Sequence, residues 1–369
     1  MTLTTDLRPT GAPAYKAALK ALQAADDCRI GHIDCGVAEH EGIGWVPGEA
    51  APKHILLSEG RDFMGPVGTP PIADLKVGPS LSDQLSDWPD HGIKTLSIIL
   101  SNVKGKLNGV APGAQVIPTR IADGPVFQDQ DQRDNMGLAV AALNDPSKKV
   151  AVMSISMGNP GNLGFFQPIL SLLGQKSGFN HQTIGAFNRA YDLGIVVVAA
   201  AGQVIDRMVY PARFPRTIAV AGHSANRLVH YPSMGYDLQD QVDIWAQALD
   251  VNRAFAHQDR WGRTVRGFAS DPTDTEGDVS GTSYATPQVA ATAALWLNTW
   301  KAELPEIGAP DAWMRVEAFR RALRAGADER ALQLRAIGRG SVDAWLLNIE
   351  RTLGQAPDLD GLEKRAEGR

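Results

Sequence analysis

Short apolar runs alternate with amphipathic stretches along most of the chain. The run 194–202 is apolar throughout, which is typical of a parallel strand covered on both faces. We interpret 29–36, 150–158 and 217–222 as further strands. Apolar residues recur at helical spacing in 14–23, 133–145 and 182–193. This alternation predicts an α/β fold with a central, mostly parallel sheet.

No internal repeat, low-complexity tract or linker interrupts 29–355, and we expect one domain there. Residues 1–28 form a short N-terminal extension, and the charged C-terminal tail 356–369 is expected to fray. Residues 38–87 are rich in glycine and proline and have little periodicity, which we interpret as a long surface excursion. His40 and His54 fall within it, and we expect them to be surface residues rather than metal ligands.

Chemically capable side chains stand where three of these elements begin or end. Asp34 closes an apolar strand, at the edge where open α/β sheets bind ligands, although a plain turn is the alternative. His91 precedes an apolar run at helical spacing, where a histidine can also be a cap or a packed residue. Ser283 precedes an alanine-rich helical run, so unpaired N–H groups of a helix start would face it. Capping of that helix is the alternative role for this serine.

In chain order these segments resemble the subtilisin-like serine protease (subtilase) family. The order Asp34, His91, Ser283 is the family's order of catalytic residues. The most specific motif is Gly281-Thr-Ser-Tyr-Ala-Thr-Pro287, which has the pattern Gly-Thr-Ser-x-Ala-x-Pro. Further matching segments are Ile33-Asp-Cys-Gly36, His91-Gly92, Gly109-Val-Ala-Pro112, Met153-Ser-Ile-Ser-Met-Gly158, Val196-Val-Val-Ala-Ala-Ala-Gly202, Tyr210-Pro-Ala-Arg-Phe-Pro215 and Gly338-Arg-Gly-Ser-Val-Asp-Ala344.

The resemblance implies a subtilisin-like three-layer fold, with helices on both faces of the sheet, and a serine endopeptidase that works through an acyl-enzyme. Ser283 would be the nucleophile, His91 its general base, and Asp34 the residue that holds the imidazole. An extended substrate would add as a strand between two segments of the chain. The residues of these segments are Ser156, Met157, Gly158, Ala200, Ala201 and Gly202. No cofactor and no metal ligand are implied.

Four positions depart from the family pattern. Gln203 replaces the asparagine that would share the oxyanion hole with Ser283; loss of such a donor costs roughly 10²–10³ in turnover. The segment after His91 reads Gly-Ile-Lys-Thr-Leu-Ser, and this bulk would alter helix packing beneath the site. Cys35 replaces a hydroxyl residue with a weaker donor. Val209 stands where relatives often carry a glycine at the base of the first pocket, which indicates small P1 side chains.

Two features that relatives often have are not expected in this chain. Only about 28 residues precede the first matching strand, fewer than the family's folding propeptide has, and we expect folding without one. Loop 101–108 corresponds to a frequent calcium site, but it contains two lysines and no carboxylate. Because calcium requires a cage of oxygen ligands, we expect none to bind there.

Composition narrows the compartment and the partners. The net charge of −5, without a basic run interleaved with aromatics, argues against nucleic-acid and anionic-membrane surfaces. No run of about 18 apolar residues predicts a membrane span, and the N-terminus lacks the apolar core of a signal peptide. Cys28 and Cys35 fit neither a redox pair nor a zinc pair, so we interpret them as reduced thiols of a cytoplasmic protein.

The favoured function is a cytoplasmic serine endopeptidase with a restricted set of protein or peptide substrates, and a regulatory partner is left open. The alternative is a peptide-binding pseudoprotease, which Gln203 and the altered histidine segment motivate. A sedolisin-type acid peptidase, which uses a glutamate base, is a third candidate. The intact Asp34 and His91 segments argue against it, and an activity profile that rises between about pH 6 and 8 would exclude it.

Overall fold

Helices and strands alternate along the chain, as the apolar pattern predicts. The computed structural model describes residues 3–9, 11–77, 88–125, 130–159, 180–202, 208–224, 229–231, 242–259, 261–270, 281–334 and 341–367. The helices are α1 (Pro13–Ala24), α2 (His91–Leu100), α3 (Gln130–Leu143), α4 (His181–Asp192), α5 (Thr282–Thr299), α6 (Met314–Gly326) and α7 (Ile349–Leu353). The strands are β1 (Arg29–Asp34), β2 (Arg61–Asp62), β3 (Asn102–Val103), β4 (Leu107–Asn108), β5 (Val116–Arg120), β6 (Val150–Ile155), β7 (Val196–Ala200), β8 (Ile218–Ser224), β9 (Val229–Tyr231), β10 (Ile244–Leu249), β11 (Ala254–Gln258), β12 (Thr264–Phe268), β13 (Asp328–Leu334) and β14 (Ser341–Leu346).

The strands of the main sheet follow the order β10-β14-β13-β9-β8-β7-β6-β1-β5-β2, and β10 also pairs with β8. Every neighbouring pair from β8 to β2 is parallel, as is the pair β8–β10. The strands β1, β6 and β7 therefore end along one edge. In open α/β sheets this carboxyl edge is where ligands bind.

Alternate side chains of the sheet enter two separate cores, one on each face. Val196 and Val198 pack with residues of α1, α2, α5 and α6. Val197 and Ala199 pack with residues of α3 and α4. Helices thus cover both faces of the sheet, and the expected three-layer α/β fold is confirmed.

The stretch rich in glycine and proline is more buried than its sequence suggests. Ile43 and Ile55 belong to the larger core, and β2 pairs with β5. His40, which we expected at the surface, is buried: its Nδ1 accepts from the Gly42 amide at 2.8 Å, and its Nε2 donates to the Gly267 carbonyl at 3.0 Å. The surface interpretation is therefore wrong for much of 38–77, because turns remove periodicity without preventing burial. Residues 78–87 lie outside the described part of the chain.

The N-terminal segment links two distant loops. Thr4 and Asp6 form parallel bridges with Val251 and Asn108, respectively. The Asn108 amide donates to the Thr5 carbonyl at 2.7 Å, and the Leu7 amide donates to the Asn108 carbonyl at 3.0 Å. Loop 101–108 itself contains the two-residue strands β3 and β4. Direct backbone contacts thus hold this loop against the N-terminal extension.

The charged tail packs against the domain over its described part. Leu359 and Leu362 contact the larger core, and Arg321 donates to the carbonyls of Asp358 and Asp360 at 3.3 and 2.8 Å. The expectation that the tail frays is wrong up to residue 367, because two spaced leucines anchor an otherwise charged segment. None of the helices in the described ranges is long and apolar enough to cross a membrane.

Candidate active site

Asp34 and His91 form a buried hydrogen-bonded pair at the carboxyl edge of the sheet. Asp34 Oδ1 accepts from His91 Nδ1 at 2.7 Å and from the Cys35 amide at 2.8 Å. The short distance to Nδ1 is typical of a charge-assisted hydrogen bond. Because Nδ1 carries the proton of this bond, Nε2 is the ring nitrogen that can accept another proton.

Two glycines allow β1 and α2 to approach so closely. A Cβ atom on Gly92 would lie 2.0 Å from the Gly36 carbonyl oxygen, so only glycine fits at the start of α2. Gly36 has a φ of +83°, in the left-handed region that favours glycine. The Asp-Cys-Gly and His-Gly motifs therefore have a direct structural reason, since their glycines bring the carboxylate and the imidazole together.

Ser283 lies in the first turn of α5, a helix that is buried on nearly all sides. Pro287 has no N–H, so the Ser283 carbonyl lacks the donor that a helix normally supplies four residues later. The Ser156 hydroxyl donates to this carbonyl instead, at 2.9 Å. A side chain that follows β6 thus replaces the missing helical hydrogen bond and fixes the first turn of α5 to the edge of the sheet.

The Ser283 hydroxyl donates in return to the Ser156 carbonyl, also at 2.9 Å. A hydroxyl has a single proton, so in this rotamer the proton is not directed at His91. For Ser283 to pass its proton to the imidazole, its side chain would have to adopt another rotamer. Hydrogen bonds between catalytic groups are often incomplete without a bound substrate and tighten when one binds.

The structure brings the expected substrate-binding residues together at this edge. Ser156, Met157 and Gly158 follow β6, while Ala200 ends β7 and Ala201 and Gly202 come directly after it. The Val209 amide donates to the Ala201 carbonyl at 3.0 Å, which joins Val209 to the second segment. Gln203 lies outside the described residues.

Val209 fills the space between these two segments. A Cβ atom on Gly158 would lie 2.3 Å from Val209 Cγ2, and one on Gly202 would lie 2.8 Å from Val209 Cγ1. The valine side chain is itself buried. The contacts leave little room between the segments for a large side chain.

The surroundings of the pair keep the Asp34 carboxyl charged and the Cys35 thiol neutral. Burial alone would raise the pKa of Asp34, but the charge of His91 and its hydrogen bond lower this pKa to about 2. Burial, followed by the charge of Asp34, raises the pKa of the Cys35 thiol well above its ordinary value. Donor atoms of Asp34, Cys35 and His91 lie within 4.8 Å of one another, as a metal site would require. Here the thiol keeps its proton, and the carboxylate already accepts from the imidazole.

The unusual residues after His91 attach α2 to strand β11. Lys94 Nζ lies 2.9 Å from Asp90 Oδ1 in a buried ion pair, and Asp90 Oδ2 accepts from the Ala256 amide at 3.1 Å. One turn further on, the Ser97 hydroxyl accepts from the Ala254 amide at 3.1 Å. The bulk that we expected to alter packing beneath the site thus supports the start of α2.

Two further polar residues, Thr95 and His32, extend the hydrogen-bonded pair of Asp34 and His91. Thr95 Oγ1 lies 3.0 Å from Asp34 Oδ2, and His32 Nε2 lies 2.9 Å from the same Thr95 oxygen. Neither residue was predicted from the sequence as part of the site. A polar histidine within an apolar strand, two residues before Asp34, and a threonine one turn after His91 were the available signals.

The family model described as the subtilase family matches residues 77–340. The match spans more than half of the chain, and the chain belongs to the subtilase family. His91 and Ser283 lie within the matched residues, and Asp34 precedes them.

Two curated relatives each share just under 30% sequence identity with this chain over the matched residues. Subtilisin NAT from Bacillus subtilis subsp. natto is 28% identical over 233 residues, which are 60% of this chain and 50% of the relative. Thermitase from Thermoactinomyces vulgaris is 29% identical over 208 residues, which are 56% of this chain and 60% of the relative. The chain therefore spans only about half the length of the curated subtilisin that it matches. A solved protease from Pseudoalteromonas arctica has a TM-score of 0.61 at 17% identity, covers 93% of both chains, and shows the shared fold.

Proposed function

We propose that this protein is a serine endopeptidase in which Asp34, His91 and Ser283 form the catalytic triad. The observation that carries the proposal is the 2.7 Å hydrogen bond from His91 to the buried Asp34, at the sheet edge where α5 presents Ser283. In this role Asp34 keeps the Nδ1–H tautomer, which leaves His91 Nε2 as the base. Membership of the subtilase family supports the same assignment.

The reaction proceeds in two halves. Ser283 Oγ bonds to the substrate carbonyl carbon while its proton moves to His91 Nε2, and the carbonyl π pair moves to the oxygen. When this pair returns, the C–N bond breaks, and the departing amine takes the proton from His91. A water molecule then repeats the sequence on the acyl-enzyme and releases the acid.

The negative oxygen of each tetrahedral intermediate needs hydrogen-bond donors. The Ser283 amide lies in the first turn of α5, where N–H groups have no helical acceptor and the helix dipole favours negative charge. We assign the second donor to the side-chain amide of Gln203. Its extra methylene places that donor differently from an asparagine, so turnover depends on where the backbone holds this residue.

The substrate is proposed to lie extended between 156–158 and 200–202, with its backbone paired to both segments. Because Val209 fills the space between Gly158 and Gly202, the pocket accepts small P1 side chains such as glycine or alanine. Pairing through the substrate backbone discriminates little between substrate side chains. We therefore propose Val209 as the main residue that determines specificity.

A peptide-binding pseudoprotease is the second candidate. The observation that favours it is the direction of the Ser283 hydroxyl, which donates to the Ser156 carbonyl. If that hydrogen bond persists with a peptide bound, the chain would hold peptides without cleaving them.

Cleavage of an unbiased peptide library separates the two candidates. The wild type is expected to cleave after small residues, whereas Ser283→Ala is expected to bind the same peptides without cleaving them. Equal cleavage by both proteins would assign the activity elsewhere. Peptide binding without cleavage by the wild type would support the pseudoprotease.

Location and substrate range are finer parts of the proposal. Cys28 and Cys35 are both free and buried, which fits a reducing compartment. We propose a cytoplasmic enzyme with restricted substrates, because unrestricted proteolysis would damage the cell. Subcellular fractionation of the tagged full chain tests the location, and recovery outside the cytoplasm would contradict it.

A further inference from the structure

His32 and Thr95 lie directly behind Asp34. His32 stands two residues before Asp34 in β1, so the alternation of a strand puts both side chains on one face of the sheet. Thr95 stands one turn after His91 in α2, so it lies on the same face of the helix as His91. His32 is only 1% exposed and Thr95 is fully buried, so their hydrogen-bond partners must come from the protein.

The Thr95 hydroxyl has a single proton and, among the described residues, four possible acceptors: a carboxylate, two backbone carbonyls and, in one of its tautomers, His32 Nε2. Its Oγ1 lies 3.0 Å from Asp34 Oδ2, 3.1 Å from the His91 carbonyl and 3.3 Å from the Gly92 carbonyl. The two carbonyls are the usual acceptors for a threonine inside a helix. A carboxylate is the stronger acceptor, so the proton is directed to Asp34.

This direction fixes the tautomer of His32. Because Thr95 donates to Asp34, its oxygen can only accept from His32, and the 2.9 Å contact requires a proton on Nε2. Among the described residues, His32 Nδ1 has no hydrogen-bond partner. In the Nε2–H tautomer, Nδ1 carries no proton and needs no acceptor. In the other tautomer, Nδ1 would carry a buried, unpaired N–H, and the Thr95 hydroxyl would donate to His32 and no longer to Asp34.

Among the described residues, the titratable groups that act on His32 are Asp34 and His91. Nε2 of His32 lies 3.9 Å from Asp34 Oδ2, beyond a direct hydrogen bond, so Thr95 mediates the contact. Burial lowers the pKa of His32 to about 4 despite the opposing effect of Asp34. The ring is therefore neutral at pH 7 and can carry its single proton on Nε2.

We propose that Thr95 and His32 are positioning residues, in which His32 donates to Thr95 and Thr95 donates to Asp34 Oδ2. With Oδ1 bound by His91 and Cys35, and Oδ2 bound by Thr95, the carboxylate cannot rotate away from the imidazole. The catalytic meaning of this relay rests on the proposed function. Thr95 does not touch the substrate; it acts through Asp34.

Three variants of the full chain test the relay. Thr95→Val keeps the shape and removes the hydroxyl, and Thr95→Ser restores the donor. Thr292→Val is the matched control, because Thr292 is a fully buried helical threonine whose hydroxyl donates to a carbonyl four residues earlier. We expect Thr95→Val to lower kcat about ten- to hundredfold with KM unchanged, and Thr95→Ser to retain most of kcat.

The pH profile adds a readout that a purely structural role would not change. Without the Thr95 donor, Asp34 Oδ2 keeps more negative charge, and this charge stabilises the protonated form of His91. The acidic limb of the kcat/KM profile should therefore move to higher pH in Thr95→Val and stay in place in Thr292→Val. If Thr95→Val matches Thr292→Val in both kcat and the acidic limb, the proposal is wrong.

Nuclear magnetic resonance of imidazole nitrogens tests the relay without turnover. At pH 7 we expect His32 to be a neutral Nε2–H tautomer, and the His91 Nδ1 proton signal to move in Thr95→Val but not in Thr292→Val. A His32 ring protonated on Nδ1 would overturn the relay even if peptides are cleaved. Conversely, an intact relay signature in a wild type that cleaves nothing would support the relay and contradict the proposed function.

Discussion

Burial and the interactions with neighbouring groups shift the pKa values of Asp34 and His32 in opposite directions. Burial favours the neutral forms of Asp34 and His32, but only Asp34 receives enough opposing interactions to stay charged. The site therefore combines one buried charge with a neutral ring behind it. Because burial lowers the pKa of His32, the free energy of unfolding depends on pH within a defined range.

His32 is predicted to cause a loss of stability in mild acid. A histidine in the unfolded chain titrates near pH 6.5, whereas burial lowers the pKa of His32 to about 4 in the folded protein. Between these values the unfolded state binds more protons, so the free energy of unfolding falls as the pH drops, by roughly 3 kcal/mol in total. The folded-state pKa of Asp34 is about 2, so its contribution is lost below this window.

Urea unfolding of the wild type and His32→Gln at several pH values between 7 and 4 measures this effect. Gln cannot titrate but keeps an N–H donor, so its stability should fall less steeply over the window. All other groups are common to both proteins and cancel in the comparison. Identical slopes would contradict a buried neutral His32.

Val209 is predicted to limit the P1 side chain. Val209→Gly removes the side chain that lies between Gly158 and Gly202 and opens the pocket. Each methylene accommodated in an apolar pocket changes discrimination by about ten- to two-hundredfold, so the preference for P1 leucine over alanine should rise at least tenfold. The ratio of kcat/KM for two peptides that differ only at P1 measures this, and an unchanged ratio would place the pocket elsewhere.

At the scale of elements, β6 and α5 are joined by a reciprocal pair of serines. Ser156 donates to the Ser283 carbonyl and Ser283 donates to the Ser156 carbonyl. The first of these bonds exists because Pro287 removes a helical donor. The helix that carries the nucleophile is therefore positioned by the segment that we propose to bind substrate.

Ser156→Ala is predicted to destabilise the protein by about 1–3 kcal/mol, because it leaves the Ser283 carbonyl without its donor. Ser154→Ala is the matched control: Ser154 lies two residues earlier, is equally buried, and its hydroxyl has no hydrogen-bond partner within the described part of the chain. Urea midpoints should fall for Ser156→Ala and stay nearly constant for Ser154→Ala. Equal effects would show that the hydroxyl at 156 has no special role.

At the scale of the whole molecule, the N-terminal segment joins loop 101–108 to residues 250–252. Thr4 bridges to Val251, Asp6 bridges to Asn108, and the Asn252 side chain donates to the Lys106 carbonyl at 2.6 Å. Hydrogen bonds within the protein thus hold loop 101–108, which corresponds to a frequent calcium site of relatives. We predict that the Tm in excess EDTA stays within about 2 °C of the Tm in calcium. A larger fall on calcium removal would show that a cation supports the fold.

Local patterns in the sequence predict the sheet, and they single out three candidate triad residues, two of which, Asp34 and His91, the structure joins by a hydrogen bond. The apolar run that contains β7 indicates a buried parallel strand, and the motifs around Asp34, His91 and Ser283 are compact enough to identify. Contacts between distant elements could not be predicted in the same way. Thr95 faces His32 only because α2 packs on β1, and Leu359 anchors the tail only because a core surface is present to receive it.

In the mechanism that we propose, Ser283 becomes a nucleophile through His91. Intact-mass analysis after treatment with a fluorophosphonate, followed by peptide mapping, tests it most directly. We predict one phosphonyl adduct on Ser283 in the wild type, no adduct in Ser283→Ala, and labelling slowed by several orders of magnitude in His91→Ala. An unlabelled wild type, or labelling that is equally fast without His91, would contradict it.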